Sequence, residues 1–350
     1  MSRLFLYNYD FEFELAGLPH EPVQGRKPWY FLNRQALLLW PLLSEGDALA
    51  VYQIPPDEVT GPLKERLGFL PQWVLVQGKE TNRIGLDLLG QQAQLAEFEL
   101  IPWGWSPSLE QLAGAPPSLM AARGNSKLFG HQLRPPEFAP QAAIIDEVDL
   151  LEDMLNQARA DWGPLLVKHP WGSSGRLSER LEGPASAKQL ERWALWINEC
   201  GGLLVEKRME LSAEWSLQYD LAPTGPRLIG VTRLYTDSNG AHRANALGQQ
   251  PSEAIKPMLS GAEAMVRIFW SEGFRGPLGL DVLESAGRFF LGEVNLRLTM
   301  GRLALEWGRA LGIAGRLEVG SQEGSSGAQL INRVSTPDGS KIWWTYFYPN

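Results

Sequence analysis

Cysteine is almost missing from this chain, with one residue, Cys200, among 350. A single thiol excludes an internal disulfide framework and any cysteine-built metal cage. Histidine is nearly as scarce: the four residues are dispersed, and His131 has no second histidine at ligand spacing. Long apolar runs are also absent. The longest, Ala36 to Leu43, is interrupted by Pro41 and falls far short of a bilayer span. There is no Gly-x-Ser-x-Gly elbow, no phosphate-loop lysine motif, no spaced dinucleotide glycine fingerprint and no internal repeat. Positive charge is in deficit, giving a net charge of −8. That balance argues against broad nucleic-acid binding but leaves room for a local basic pocket. With no cleavable signal pattern after Met1, a cytoplasmic location is expected, with neither membrane nor nucleic acid as partner.

What is present is the composition of a globular protein, 44% hydrophobic and 21% charged, at a length that suggests two or three subdomains. Leu4–Asn8, Ala48–Gln53, Trp73–Gln77 and Phe98–Ile101 read as strands, with helical apolar spacing over Pro28–Leu43. This alternation predicts a mostly parallel α/β layer over about the first 110 residues. Further on, a helix is expected from about Asn125, with Asn125 or Ser126 as cap and Pro135-Pro136 as its end. Asp149–Arg159, Ala187–Glu199 and Glu253–Glu272 have helical patterns. Leu165–Lys168, Gly202–Lys207, Trp215–Asp220 and Arg227–Tyr235 read as strands. Leu278–Leu283 and Arg288–Leu298 form a hairpin pattern, followed by a helix through Leu311 and a late strand near Tyr348.

Two stretches concentrate chemistry. In Leu165–Leu177 (LLVKHPWGSSGRL) a short buried strand reaches Lys168 and then a loop of Gly172, Ser173, Ser174 and Gly175, closed by Arg176. Small residues let backbone N–H groups approach an anion, so the loop reads either as a phosphate cradle or as a plain hairpin turn. The second stretch pairs Gly279-Leu-Asp281 with Gly292-Glu293-Val-Asn295-Leu-Arg297. Strand alternation puts Glu293, Asn295 and Arg297 on one face, and hairpin pairing brings Asp281 beside Glu293. Two carboxylates and an amide oxygen suit Mg²⁺ completed by nucleotide phosphates; the other reading is polar strand residues facing solvent.

Lys127, Lys168 with its Gly/Ser loop, Glu206-Lys207, Asp281 and Glu293-x-Asn295, in that order, resemble the ATP-grasp superfamily over roughly residues 125–309. Tyr7-Asn8-Tyr-Asp10-Phe-Glu-Phe-Glu-Leu-Ala16, Trp103-Gly-Trp105 and Pro170-Trp171-Gly-Ser-Ser-Gly-Arg176 resemble a bacterial branch of it, which brings no substrate with it; Pro170 and Trp171 replace the smaller residues of many members. The resemblance implies an α/β fold, α+β in the grasp region: a parallel pre-grasp domain (1–120), a lid (121–209) and a catalytic subdomain (210–350). It implies that Lys127 and Lys168 contact ATP phosphates, that Gly172–Gly175 closes over them, and that Arg176 meets phosphate or substrate. Glu206, Lys207 and Met209 would form the adenine hinge, Glu214 would reach the ribose, and Asp281, Glu293 and Asn295 would hold Mg²⁺. Arg297 and Arg233, with Asn295, would face the transferred phosphoryl group. The implied reaction is ATP-dependent ligation of a small-molecule or peptide carboxylate to an amine through an acylphosphate. A small-molecule kinase and a non-catalytic nucleotide-binding regulator are the alternatives, and a homodimer is one assembly compatible with it. His20, Arg26, Trp103, Trp105, His242 and Arg243 are further candidates for the substrate wall.

Overall fold

The computed structural model describes residues 1–9, 11–17, 29–77, 83–114, 119–172, 177–237, 240–320, 327–335 and 342–349. Strands β1 (Ser2–Leu6), β2 (Ala48–Val51), β3 (Gln72–Leu75) and β4 (Phe98–Pro102) form a parallel sheet in the order β3-β2-β1-β4. All four residues of β2 are buried, as expected for a strand covered on both faces. Helices α1 (Phe11–Leu15), α2 (Trp29–Ala36), α3 (Asp57–Leu67), α4 (Ile84–Leu88), α5 (Gln92–Leu95) and α6 (Pro107–Leu112) connect and cover these strands. The helical reading of Pro28–Leu43 holds only to Ala36. A 3₁₀ turn over Leu37–Leu42 accommodates Pro41, which an α-helix interior would not. Unforeseen α3 carries Asp57 and Glu58 in its first turn and stops at Gly68, whose φ of 83° closes a left-handed cap.

After α7 (Leu119–Gly124) and α8 (Lys127–Leu133), a second, antiparallel sheet takes the order β5-β8-β6-β7. Its strands are β5 (Ala142–Ile145), β6 (Leu165–Lys168), β7 (Ser178–Leu181) and β8 (Leu203–Lys207). Helices α9 (Leu151–Trp162) and α10 (Ala187–Cys200) close over it around fully buried Trp193. Ser186 and Gln189 start α10 with a reciprocal capping box.

The largest sheet is antiparallel and follows β13-β12-β9-β10-β11-β14-β16-β15. It comprises β9 (Ala213–Ala222), β10 (Gly225–Thr236), β11 (His242–Ala246), β12 (Gly276–Ser285), β13 (Arg288–Asn295), β14 (Gly315–Gly320), β15 (Gln329–Ser335) and β16 (Ile342–Pro349). Helix α11 (Lys256–Ser271) packs on one face through Met258, Ala262, Met265 and Phe269. Helix α12 (Met300–Leu311) turns Leu303, Ala304 and Trp307 into the core of the parallel sheet, and Trp307 Nε1 donates to Leu38 O at 3.1 Å. Apolar packing therefore runs without a break from the first strands into the last third of the chain.

Candidate active site

The antiparallel sheets and the edge of the first lobe enclose one cavity of about 540 Å³. Lys127 and Lys168 enter it from the second sheet's side. Lys127 begins α8, and its backbone N–H donates to Pro170 O at 3.0 Å. Its Nζ donates to Gly172 O and lies 3.5 Å from Glu293 Oε2. Lys168, the last residue of β6, is 2.7 Å from Glu206 Oε2 and 3.6 Å from Glu293 Oε1. Burial alone would drive the Lys168 ammonium down; Glu206 and Glu293 outweigh it and raise its pKa. Burial would likewise push Glu206 up, but Lys168 and Arg134 hold it well below the carboxylate range. Glu293 is also lowered, since Lys127 and Lys168 overcome its burial. Lys168 is therefore held in its charged form, and both lysines line the cavity.

The acidic pair meets as the hairpin pattern suggested, but by an unforeseen device. Between Leu280 and Val282 the β12–β13 register slips, so that Gly292 and Glu293 together face Asp281. A Cβ on Gly292 would sit 3.1 Å from Asp281 O, so a side chain there would press on the bulge. Asp281 accepts from Ser216 Oγ at 3.0 Å. Burial, and next the Glu293 charge, push its pKa up to about 7. Among the described residues no three His, Cys, Asp or Glu side chains cluster closely enough to hold a metal by themselves. Two carboxylates and the Asn295 amide oxygen fit Mg²⁺ nonetheless, because its shell is commonly completed by phosphate oxygens and water. A cation there would also relieve the repulsion between Asp281 and Glu293.

Arg297 departs from the expected strand. β13 ends at Asn295, and Arg297 forms an isolated antiparallel bridge with Gly104 of the first lobe. Its guanidinium donates to Asn295 Oδ1 at 2.8 Å, Leu298 O at 3.2 Å and Glu12 Oε1 at 3.2 Å. Glu12, on α1, lies in the N-terminal stretch that carries the resemblance but had no role assigned, because a partner 285 residues away leaves no local pattern. Arg134 was missed for the same reason. Its side chain, only 1% exposed, donates to Glu206 Oε1 at 2.7 Å and Gly292 O at 3.0 Å.

The adenine-hinge and ribose residues converge on the cavity too, with Glu206 and Lys207 on β8 beside the strand that carries Lys168. Glu206, Lys207, Met209 and Glu214 all line the cavity beside Leu166, Leu211, Leu234 and Leu283. Burial raises the Glu214 carboxyl, against a 2.6 Å hydrogen bond from Thr236 Oγ1. Arg233 must be corrected. Its neighbours Leu234 and Thr236 face the cavity, but strand alternation turns Arg233 to the other side of β10. There it stacks on Trp215 and Tyr235 and donates to Ser212 O at 3.1 Å. Gly172 reaches the cavity rim; Ser173, Ser174, Gly175 and Arg176 lie outside the described residues, as do His20 and Arg26.

The approach to that loop is anchored by His169, whose ring is 2% exposed. Nδ1 lies 2.9 Å from Trp171 O and 3.0 Å from Trp171 N, while Nε2 lies 3.4 Å from Cys200 Sγ. Burial, opposed by the Trp171 contact, pushes the His169 pKa down to about 4, and burial also pushes the Cys200 thiol up to about 11. Between the ordinary imidazole value and about 4 the unfolded chain binds a proton that the native ring refuses, so stability is lost as pH falls. His169 is thus expected to cost about 3 kcal/mol between roughly pH 7 and pH 4. Denaturation midpoints of the parent and His169→Gln across that range check this: the parent should fall the more steeply, and parallel curves would refute it.

No protein-family model matches the sequence, and a search of curated proteins gave no match. Solved structures do match. N5-carboxyaminoimidazole synthetase from Staphylococcus aureus, complexed with ADP, aligns over 100% of this chain and 93% of its own at TM-score 0.58 and 9% identity. N5-carboxyaminoimidazole ribonucleotide synthetase from Thermus thermophilus aligns over 99% and 93% at TM-score 0.58 and 15% identity. Biotin carboxylase from Campylobacter jejuni, in a β-γ-ATP complex, aligns over 100% and 88% at TM-score 0.65 and 11% identity. The chain has the ATP-grasp fold. Among the described residues no helix is long and apolar enough to cross a membrane.

Proposed function

We propose that this chain is an ATP-dependent ligase that activates a small-molecule or peptide carboxylate as an acylphosphate and joins it to an amine. The observation that carries this reading is one cavity holding Lys127 and Lys168, an Asp281–Glu293 pair and a hinge strand with apolar flanks. ADP- and ATP-bound structures of the same fold support it, and in this reading the domains run 1–120, 121–209 and 210–350.

In this reading the base of ATP lies between Leu166, Met209, Leu234 and Leu283, with Glu214 at the ribose and Lys127 and Lys168 on the phosphates. Asp281, Glu293 and Asn295 would hold Mg²⁺, which when bound neutralises phosphate charge. The substrate carboxylate oxygen attacks the γ-phosphorus, the bond to the β-phosphate oxygen breaks, and ADP leaves. Arg297, fixed by Glu12 and Asn295, is placed to stabilise the transferring group without reorganising. The amine then displaces phosphate from the acyl carbon. No protein nucleophile is required.

Lys168→Met should weaken ATP binding by about tenfold to a hundredfold, the worth of a charge-assisted phosphate contact. Arg134 keeps Glu206 paired in that variant, so its melting temperature should drop by only a few degrees. Calorimetric titration with ATP and thermal unfolding check the two halves separately. The reading as a whole is tested by ADP release against pooled carboxylates with and without amines. ADP release that requires both supports ligation; a phosphorylated product made without amine would replace it with kinase chemistry.

A further inference from the structure

Gln218, on β9, is a polar side chain 2% exposed that the mechanism above leaves without a task. Pairing of β9 with β12 sets Gln218 opposite Gly279 and Ser216 opposite Asp281, all on one face of the sheet. Two close approaches enclose its amide. A Cβ on Gly301 would sit 2.8 Å from Gln218 Nε2. One on Gly279 would sit 2.6 Å from Thr299 Cγ2 and 3.5 Å from Gln218 Nε2. A side chain at either glycine would press on Gln218 or Thr299.

The amide is the middle link of a hydrogen-bonded line. Thr299 Oγ1 accepts from the Arg302 N–H at 3.2 Å and donates to Gln218 Oε1 at 2.7 Å. Gln218 Nε2 donates to Ser216 Oγ at 2.8 Å, and Ser216 Oγ donates to Asp281 Oδ1 at 3.0 Å. The direction follows from the two ends. A backbone N–H only donates, and a carboxylate that holds a cation only accepts. Ser216 has one hydroxyl proton and gives it to Asp281, so its oxygen receives from Gln218. The amide nitrogen therefore faces Ser216 and the amide oxygen faces Thr299. Donors aligned in this way polarise one another in one sense, toward Asp281.

The far end of the line is the start of α12, whose cap is Thr299. Ser216 and Thr299 are 4% and 8% exposed, so water competes little for these bonds. Thr299 follows Arg297 by two residues, and the Leu298 N–H between them donates to Trp103 O at 2.8 Å. The segment that carries Arg297 is thus held by the first lobe on one side and by the Asp281 line on the other.

We infer that Ser216, Gln218 and Thr299 are positioning residues that fix the Asp281 carboxylate for Mg²⁺ and tie it to the start of α12. This rests on the assignment of Asp281, Glu293 and Asn295 to Mg²⁺ in the reading above. Each of the three acts through its neighbour. A carboxylate already held in one orientation loses less freedom when a cation binds, so interrupting the line anywhere weakens the metal.

The experiment measures binding of Mn²⁺ in the presence of ADP by the paramagnetic resonance signal of the free ion. Ser216→Ala should weaken Mn²⁺ by about tenfold, the lower range for a group that orients a metal ligand. Thr299→Val should weaken it by about fivefold, the net worth of one hydrogen bond, while Thr299→Ser stays within about twofold of the parent. In the double variant Ser216→Ala, Thr299→Val the second change should add less than about twofold, because the line is already cut. Metal-free ADP affinity should hold within about twofold throughout. Thr299→Val also loses a helix cap, so its melting temperature falls whether or not the line exists; Gln218→Leu cuts the line without touching the cap and should match it in Mn²⁺ affinity. Wild-type Mn²⁺ affinity in Thr299→Val or Gln218→Leu, or losses that multiply in the double variant, would overturn the line. A parent that binds no Mn²⁺ with ADP would overturn the metal assignment and the line with it, and that failure is distinguishable because it needs no variant.

Discussion

Glu293→Gln is expected to reduce ligase turnover by about a thousandfold while ATP affinity changes less than about tenfold. The separation follows from where the side chain stands. Glu293 lies 3.5 Å from Lys127 and 3.6 Å from Lys168, and faces Asp281 across the bulge. Removing its charge leaves the hinge residues and both lysines able to bind the nucleotide. The lysines lose a competing carboxylate, which offsets part of the lost metal contact. What disappears is a charged metal donor at the position where phosphoryl charge is redistributed. Single electrostatic groups of this kind are worth about a hundredfold to a thousandfold in turnover, and a lost metal ligand extends the effect. Steady-state ADP release and equilibrium titration with ATP measure the two quantities. Unchanged ATP consumption in Glu293→Gln would remove the metal assignment, and equal losses in affinity and turnover would place Glu293 in nucleotide binding alone.

The parts of this site legible in the sequence were those with a local signature. Lys168 ends a run of apolar residues, and Glu293 and Asn295 keep strand alternation, so each could be placed on an element and a face. Parallel pairing of the first four strands followed from their alternation with helices. Glu12, Arg134 and Ser216 were invisible, because their partners lie 285, 72 and 65 residues away. Ser216 and Gln218 posed a further obstacle. In Trp215-Ser-Leu-Gln-Tyr219 the alternation reads as one core face and one solvent face, yet all five residues are buried. The polar face is the cavity floor, and cavity and solvent share the same hydropathy pattern. Arg233 shows the converse error. An arginine on a strand near the site was assigned to chemistry, and only the side-chain direction along β10 decides against it.

Arg134→Met is expected to destabilise the fold by about 1–3 kcal/mol, because Gly292 O loses its buried donor while Lys168 still pairs with Glu206. Arg134 ends α8 through its backbone N–H, and its guanidinium pairs with Glu206 on β8 and donates to the Gly292 carbonyl on β13. It therefore ties the hinge strand to the bulge that aligns Asp281 and Glu293. Its loss leaves Glu206 with Lys168 alone and Gly292 O without its donor, a buried acceptor worth about 1–3 kcal/mol unmade. A second consequence separates this residue from an ordinary core contact. Without Arg134, Lys168 is held more tightly by Glu206, so ATP affinity should fall along with stability. The double variant Arg134→Met, Glu206→Met leaves Lys168 to Glu293 at 3.6 Å, so its loss should depart from the sum of the two single variants. Denaturant midpoints for the parent, both single variants and the double variant complete the cycle. A single-variant loss below about 1 kcal/mol, or no coupling in the cycle, would show that Glu206 is held by Lys168 without help from Arg134.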